Sequence, residues 1–431
     1  MNVKLIFIFI SLCFSLTILA SPGKLTLKDS LISELARAHP DSIRQQLYNA
    51  LGRVYLNSSK DNKTNIDSAF YYLRKSVYLF DSSNAANNPV TNAGLALLAD
   101  TYFEINREEE GKKIFLQVTK SYKTAADTFN EAKTWYRLGD LLLAKEVDFD
   151  GIDLAFKQAS RLFFQLQLPL KKIDTDYKLS FFHFRLGKQE MAENEMLTTI
   201  EASKKNGGYK LTDLLLALAE AKRYAGKFNE SLTYSMEAQK NVQLTNDTLN
   251  PHNVYGELAL EYEEMNEPAK SVYWYKECIR ERIRLHMNSY LIYLTAYLMI
   301  VQMIKIKEEQ GALIVLKDLQ KNIPPAIPLE NAVLAQSLAY CFDAIGQYAN
   351  AEKYFLLMIK IFNQAEENND VLFIANLDVG RFYVTQQQYA RAAPYLKSAF
   401  IHIEGPSISR VQELQLLMFK VDSASGNYVA A

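Results

Sequence analysis

Histidines, cysteines and clustered carboxylates are the side chains best suited to chemistry, and in this chain they are scattered. His39 precedes Pro40, His183 sits in Phe181-Phe182-His183-Phe184, His252 follows Pro251, His286 lies in Arg284-Leu285-His286-Met287, and His402 in Ile401-His402-Ile403-Glu404. No two histidines have the one-turn spacing that would aim both at a zinc ion, and no Cys-x-x-Cys occurs. Neither a GxGxxG nor a GxxxxGK[ST] phosphate loop is present, and Gly207-Gly208, after a lysine pair, fits a helix stop better than an anion cradle. The sequence therefore holds no catalytic residue, no metal site and no cofactor site, and His183 reads as a packed helix residue. The run Arg107-Glu108-Glu109-Glu110 opens a helix, where negative charge meets the positive dipole end. Asn57-Ser58-Ser59, Asn62-Lys63-Thr64, Asn229-Glu230-Ser231 and Asn246-Asp247-Thr248 fit the glycosylation pattern, as chance alone allows in an Asn-rich chain.

What must position the remaining side chains is helix. Of 431 residues 49% are hydrophobic, enough for an extensive core, while only 16 glycines and 11 prolines stand against 26 tyrosines and 23 phenylalanines. Sparse turn residues argue against an all-β fold, and abundant aromatics suit helices with large packing faces. With 48 Lys and Arg balancing 49 Asp and Glu, no net field draws the chain to nucleic acid or acidic lipid.

The first twenty residues read as an export signal. Lys4 supplies a positive start, Leu5–Leu19 an uncharged apolar stretch, and cleavage is expected after Ala20. The stretch is shorter than the ~20 residues of a membrane-spanning helix. Cys13 follows Leu12, where a lipoprotein signal would place a small residue, so lipidation is not expected. Cys278 and Cys341, two repeats apart, read as small core residues without a disulfide.

Self-similarity dominates the rest. Leu-Gly-Lys-Gln-Glu-Met-Ala (186–192), Ala-Gly-Lys-Phe-Asn-Glu-Ser (225–231), Ile-Gly-Gln-Tyr-Ala-Asn-Ala (345–351) and Ser-Gly-Asn-Tyr-Val-Ala-Ala (425–431) are one recurring turn. Matching turn positions fall at Asn106, Glu146, Gly187, Gly226, Asn266, Lys307, Gly346, Gln387 and Gly426, a step of about 40 residues. Seams of small and aromatic residues flank each turn: Ala339, Phe342, Tyr348, Ala351 and Phe355, then Gly380, Tyr383, Tyr389, Ala392 and Leu396, and earlier Ala259, Tyr262, Ser271 and Tyr275.

This order resembles the tetratricopeptide signature, best in Leu51-Gly52-Arg53-Val54-Tyr55 and Trp135-Tyr136-Arg137-Leu138-Gly139, with Pro324 where that family often ends its second helix. The period exceeds the family's usual ~34 residues and several turns lack glycine, as in the long-helix subgroup of kinesin light chains. HEAT repeats share the period but lack the seam order. The resemblance implies an all-α, right-handed superhelical solenoid over residues 21–431, with about ten helix pairs and the last truncated after Gly426. Longer inter-helix turns are expected at Asn57–Asn65 and Lys145–Asp150, a polar break at Asn84–Pro89, and helix stops at Gly207-Gly208 and Asn246–Pro251; no linker divides the array. The helix Ile408–Ala424 is expected to leave Leu414, Leu417, Met418 and Val421 without a partner helix, so that the native polypeptide would continue past Ala431.

In tetratricopeptide arrays the first helix of each pair lines a concave groove, and residues one after the small seam residue, or three before it, point inward. Carried over by register, those positions hold Tyr136, Asp140, Tyr177, Phe181, Glu220, Tyr297, Tyr340 and Arg381, with Arg185 and Arg223 nearby; half of them would equally serve to pack neighbouring units. Their expected occupant is a protein or peptide segment. The stretch Glu413-Leu414-Gln415-Leu416-Leu417-Met418-Phe419-Lys420-Val421-Asp422 through Gly426-Asn427-Tyr428 resembles the end of the extracytoplasmic region of tetratricopeptide sensor histidine kinases from Bacteroidetes-type bacteria. That resemblance implies a periplasmic sensory region of a two-component kinase, with membrane contact only through a helix beyond Ala431. No histidine here begins the His-acid-apolar-base sequence of a phosphoacceptor, so the kinase activity itself would lie elsewhere. The alternative is a free-standing exported scaffold for assembling envelope or secreted complexes.

Overall fold

The computed structural model describes residues 26–37, 39–58, 63–79, 88–364, 369–403 and 408–426. The export segment, parts of the Asn57–Asn65 turn and the Asn84–Pro89 break, and the residues after Gly426 lie outside them. Among the described residues there are twenty α-helices and no strand. The chain is an all-α repeat solenoid, and its contacts divide it into two compact units, at Leu186 and Gly187.

In the first unit α1 (Leu27–Leu35) precedes α2 (Asp41–Asn57) with α3 (Lys63–Tyr78), α4 (Pro89–Glu104) with α5 (Glu108–Thr124), α6 (Thr128–Lys145) with α7 (Phe149–Gln165), and α8 (Pro169–Arg185). The second holds α9 (Gln189–Lys205), then α10 (Leu211–Tyr224) with α11 (Phe228–Thr245), α12 (Pro251–Glu264) with α13 (Pro268–Arg284), α14 (Ser289–Lys305) with α15 (Glu309–Asn322), α16 (Pro328–Ala344) with α17 (Tyr348–Gln364), α18 (Asn369–Thr385) with α19 (Tyr389–Ile401), and α20 (Ile408–Ala424). We call α2, α4, α6, α8, α10, α12, α14, α16, α18 and α20 the A helices and their partners the B helices.

All nine turn positions read from the sequence are left-handed, with φ between 54° at Glu146 and 76° at Gly346. A residue in that conformation reverses the chain and lets the following N–H reach back to the helix: Arg107 N to Tyr102 O at 2.9 Å, Lys227 N to Lys222 O at 2.9 Å, Gln347 N to Phe342 O at 2.8 Å. Glycine does this without cost, whereas Asn106, Glu146, Asn266, Lys307 and Gln387 do it against their Cβ. Gln387→Gly is therefore expected to stabilise the protein by about 0.5–1 kcal/mol, read as a higher urea midpoint at unchanged slope.

The small seam residues are required by contact. A Cβ on Gly380 would sit 2.4 Å from Leu396 Cδ2, one on Gly52 2.4 Å from Leu73 Cγ, and one on Gly139 2.9 Å from Phe156. Each glycine thus lets an A helix lie directly against the large side chain of its B helix. The seams close as read, with Ala339, Ala351, Phe355, Tyr383, Ala392, Leu396, Ala259, Ser271 and Tyr275 all buried. Tyr348 departs from them and is exposed at a helix start. Cys278 and Cys341 are buried free thiols, and α15 stops at Asn322, just before Pro324. The stops at Gly207-Gly208 and Asn246 are left-handed helix ends as read.

Two expectations are corrected. The third pair has no long turn: α6 ends at Lys145 and α7 starts at Phe149, leaving the same three-residue connection as between α4 and α5. The polar residues there are caps, Asp148 accepting from Gly151 N at 3.2 Å and Asp150 occupying the first turn of α7. The α20 face does find partners: Leu414, Leu417 and Val421 are buried in one core with Leu377, Phe382, Leu396 and Ala399. An A helix packs first on the preceding pair, so what stays bare on α20 is a different side, with Leu416 and Phe419 exposed.

Candidate functional site

Successive A helices meet, α2 with α4, α4 with α6, α10 with α12, α14 with α16 and α18 with α20, while side chains also join α6 to α8 and α16 to α18, and the residues facing one another belong to positions about one repeat apart. In the first unit Asp100 on α4 pairs with Arg137 on α6 at 3.0 Å, and Asp140 on α6 with Lys178 on α8. Glu146, after α6, pairs with Arg185 at 2.6 Å, and Lys145 donates to Asn106 at 2.8 Å. Tyr136 on α6 donates to Asp174 on α8, and Lys178 lies 4.9 Å over the Tyr136 ring. Tyr177 and Phe181 stack at 6.3 Å with their planes 26° apart, both partly exposed. The five candidates of this unit, Tyr136, Asp140, Tyr177, Phe181 and Arg185, thus stand on the neighbouring helices α6 and α8, and the Tyr136 ring also packs edge-on to Phe156 and Phe163 of α7, at 6.0 and 6.5 Å. His183, on the other side of α8, is fully buried with Nε2 2.8 Å from Asp153 Oδ1 on α7, as a packed helix residue should be. Burial pushes the Asp100 carboxyl up, opposed by the Arg137 guanidinium.

In the second unit the same ladder appears with other residues. Arg223 on α10 meets Glu257 on α12 at 3.0 Å; burial opposes its charge, and the carboxylate more than restores it. Glu220, one turn away, has its carboxyl pushed up by burial and then by Glu257. Farther along, three candidates converge. Tyr340 on α16 and Arg381 on α18 both reach Asp378, the phenol donating at 2.8 Å and the guanidinium at 3.0 Å. Gln336 donates to the other oxygen of Asp378 at 2.7 Å. Arg381 also donates to the Tyr340 oxygen at 2.9 Å and to Glu413 on α20 at 2.6 Å. The Tyr297 ring, from α14, sits edge-on to Tyr340 at 5.9 Å.

Asp378 is only 2% exposed. Burial and then the neighbouring carboxylate hold the Tyr340 phenol well above its usual pKa, so it stays a donor. Burial works against the Arg381 charge, but Asp378 and Glu413 keep it firmly protonated.

Sequence reasoning missed half of each ladder. Arg137, Lys178, Glu257 and Asp378 all stand two residues before the small seam position, and each opposes a polar residue of the preceding A helix 34 to 38 residues earlier. That complementarity at repeat spacing was the available signal. Gln336 was legible by the register itself, three before Ala339. Polar side chains already paired this way make a face of fixed shape that can recognise a segment by aromatic contact and by its remaining donors and acceptors. Among the described residues no cluster of His, Cys, Asp and Glu is arranged to hold a metal.

No protein-family model matches the chain, and no curated protein matches it. Among solved structures it is similar to the apo form of the quorum sensor NprR from B. thuringiensis, at 12% identity over 82% of this chain and 98% of that one, with a TM-score of 0.56. A Rap protein complexed with competence and sporulation factor aligns at 10% identity over 88% and 99%, TM-score 0.46. A tetratricopeptide repeat protein from Parabacteroides merdae aligns at 17% over 60% and 88%, TM-score 0.43. Antiparallel helix pairs at a constant interval, left-handed caps and small-residue seams are the marks of the tetratricopeptide fold, and that is the fold of this chain.

Proposed function

We propose that the chain is a non-catalytic array, exported to the periplasm, which binds a protein or peptide segment along its A-helix faces as the sensory region of a two-component sensor histidine kinase. The observation that carries the binding role is the pair of ladders, in which aromatics stand partly exposed between charges that are already paired. Ordering a site before its ligand arrives removes part of the entropic cost of binding. Export is supported by Lys4, the apolar stretch Leu5–Leu19 and Ala20, and the kinase association by the character of Glu413–Tyr428.

Selecting peptides from a random display library on the purified chain tests the binding role. Selected peptides should lose at least about tenfold in affinity, roughly 1.4 kcal/mol, when Tyr177 and Phe181, or Tyr297, are changed to alanine. Peptides that bind every variant equally would place recognition away from the A helices. For location, residues 1–25 fused to alkaline phosphatase should yield an active, exported enzyme; retention in the cytoplasm would reject the export reading.

A further inference from the structure

Glu261 on α12 is fully buried, and its partners cannot all be satisfied by a carboxylate. Ser231 Oγ on α11 lies 2.6 Å from Glu261 Oε1 and 2.7 Å from the Ala219 carbonyl of α10, while Ser235 Oγ lies 2.6 Å from the same Oε1. A hydroxyl carries one proton. One pair later Ser271, the counterpart of Ser231, donates to Ala259 O, the counterpart of Ala219 O, at 2.8 Å. The serine-to-carbonyl bond is thus part of the repeat, and it uses the Ser231 proton. Glu261 must then supply the proton between itself and Ser231, and Ser235 donates to Glu261. Oε2 has no partner, a modest loss for a neutral acid and a severe one for a buried charge.

We propose that Glu261 is a neutral acid below neutral pH and that, with Ser231 and Ser235, it forms a pH-responsive latch between α11 and α12. The surroundings agree from every packed helix. On α12 itself stand Glu257 and Glu263; α10 contributes Glu220 and the opposing cation Arg223; α11 presents the two serines; α13 presents Tyr275, whose hydroxyl donates to Glu263 at 2.9 Å, and the Cys278 thiol. Burial outweighs the serine hydrogen bonds and raises the Glu261 carboxyl from 4.5 to about 7. The folded state therefore binds a proton more tightly than the unfolded state does. Its contribution is fully present below about pH 4.5 and is lost as pH rises through about 7, which amounts to roughly a 300-fold change in the folding equilibrium.

Glu261→Gln can place its amide nitrogen where Oε1 stands, with one N–H for Ser231 and one for Ser235, and cannot ionise. Urea unfolding of the wild type and E261Q at pH 5 and pH 8 should show the two alike at pH 5 and the variant clearly more stable at pH 8. A wild-type-minus-variant difference that does not change with pH overturns the latch. The carboxyl carbon of Glu261, followed by NMR in glutamate-labelled wild-type protein, should titrate with a midpoint near 7, and a midpoint near 4.5 overturns it whether or not the variant folds.

Discussion

Asp378→Ala is expected to destabilise the second unit by about 3 kcal/mol, because it removes the common acceptor of three buried or partly buried donors. Gln336 and Tyr340 would each be left with a desolvated group, while Arg381 keeps Glu413 at 2.6 Å and is 30% exposed, which holds the cost at the lower end for a broken buried pair. Asp378→Asn should cost less, since the amide oxygen still accepts one donor. Urea unfolding measures both, and hydrogen exchange should show the loss concentrated in α16, α18 and α20, as nearest-neighbour coupling in a repeat array requires. A loss below about 1 kcal/mol for the alanine variant would mean that these side chains decorate the face without organising it.

Gly380→Val should cost a further distinct sum, about 3 kcal/mol, by overpacking. Helix propensity slightly favours the replacement, by less than about 1 kcal/mol, but the new side chain meets Leu396 at a distance no real contact shows. Leu396 is itself 1% exposed and packed into the core, so it cannot swing aside without disturbing its neighbours. Combining Gly380→Val with Leu396→Ala relieves the clash, so the double variant should be at least about 1 kcal/mol more stable than the two single losses added together. Strict additivity would show that the close approach of α18 to α19 is not what the glycine serves.

Much of the architecture was legible because it is local. The nine turn positions, the α20 limits Ile408–Ala424, the stop before Pro324 and the buried state of Cys278 and Cys341 all follow from short-range pattern. The groove positions were legible only by register: Tyr297, Tyr340 and Arg381 do meet, yet Asp378, which joins two of them, and Glu413 were not read. A charged side chain two places before a seam residue looks solvated in one repeat. Only beside the preceding A helix does it become a partner, as Lys178 does for Asp140 and Glu257 for Arg223. The Lys145–Asp150 turn failed for the opposite reason, since clustered polar residues at a cap and in an insertion look alike until the backbone is seen.

The sequence by itself determined the helix pairs, their interval and their reversals, since each depends on residues within a few turns of one another and on whether a Cβ is present. Tertiary structure alone decided which charges on the A helices neutralise each other, that α20 buries Leu414, Leu417 and Val421 while leaving Phe419 bare, and that Glu261 is buried against two serines. Those outcomes turn on the distances between helices that lie up to about 40 residues apart in the chain, and electrostatic and packing energies vary steeply over an ångström of such separation.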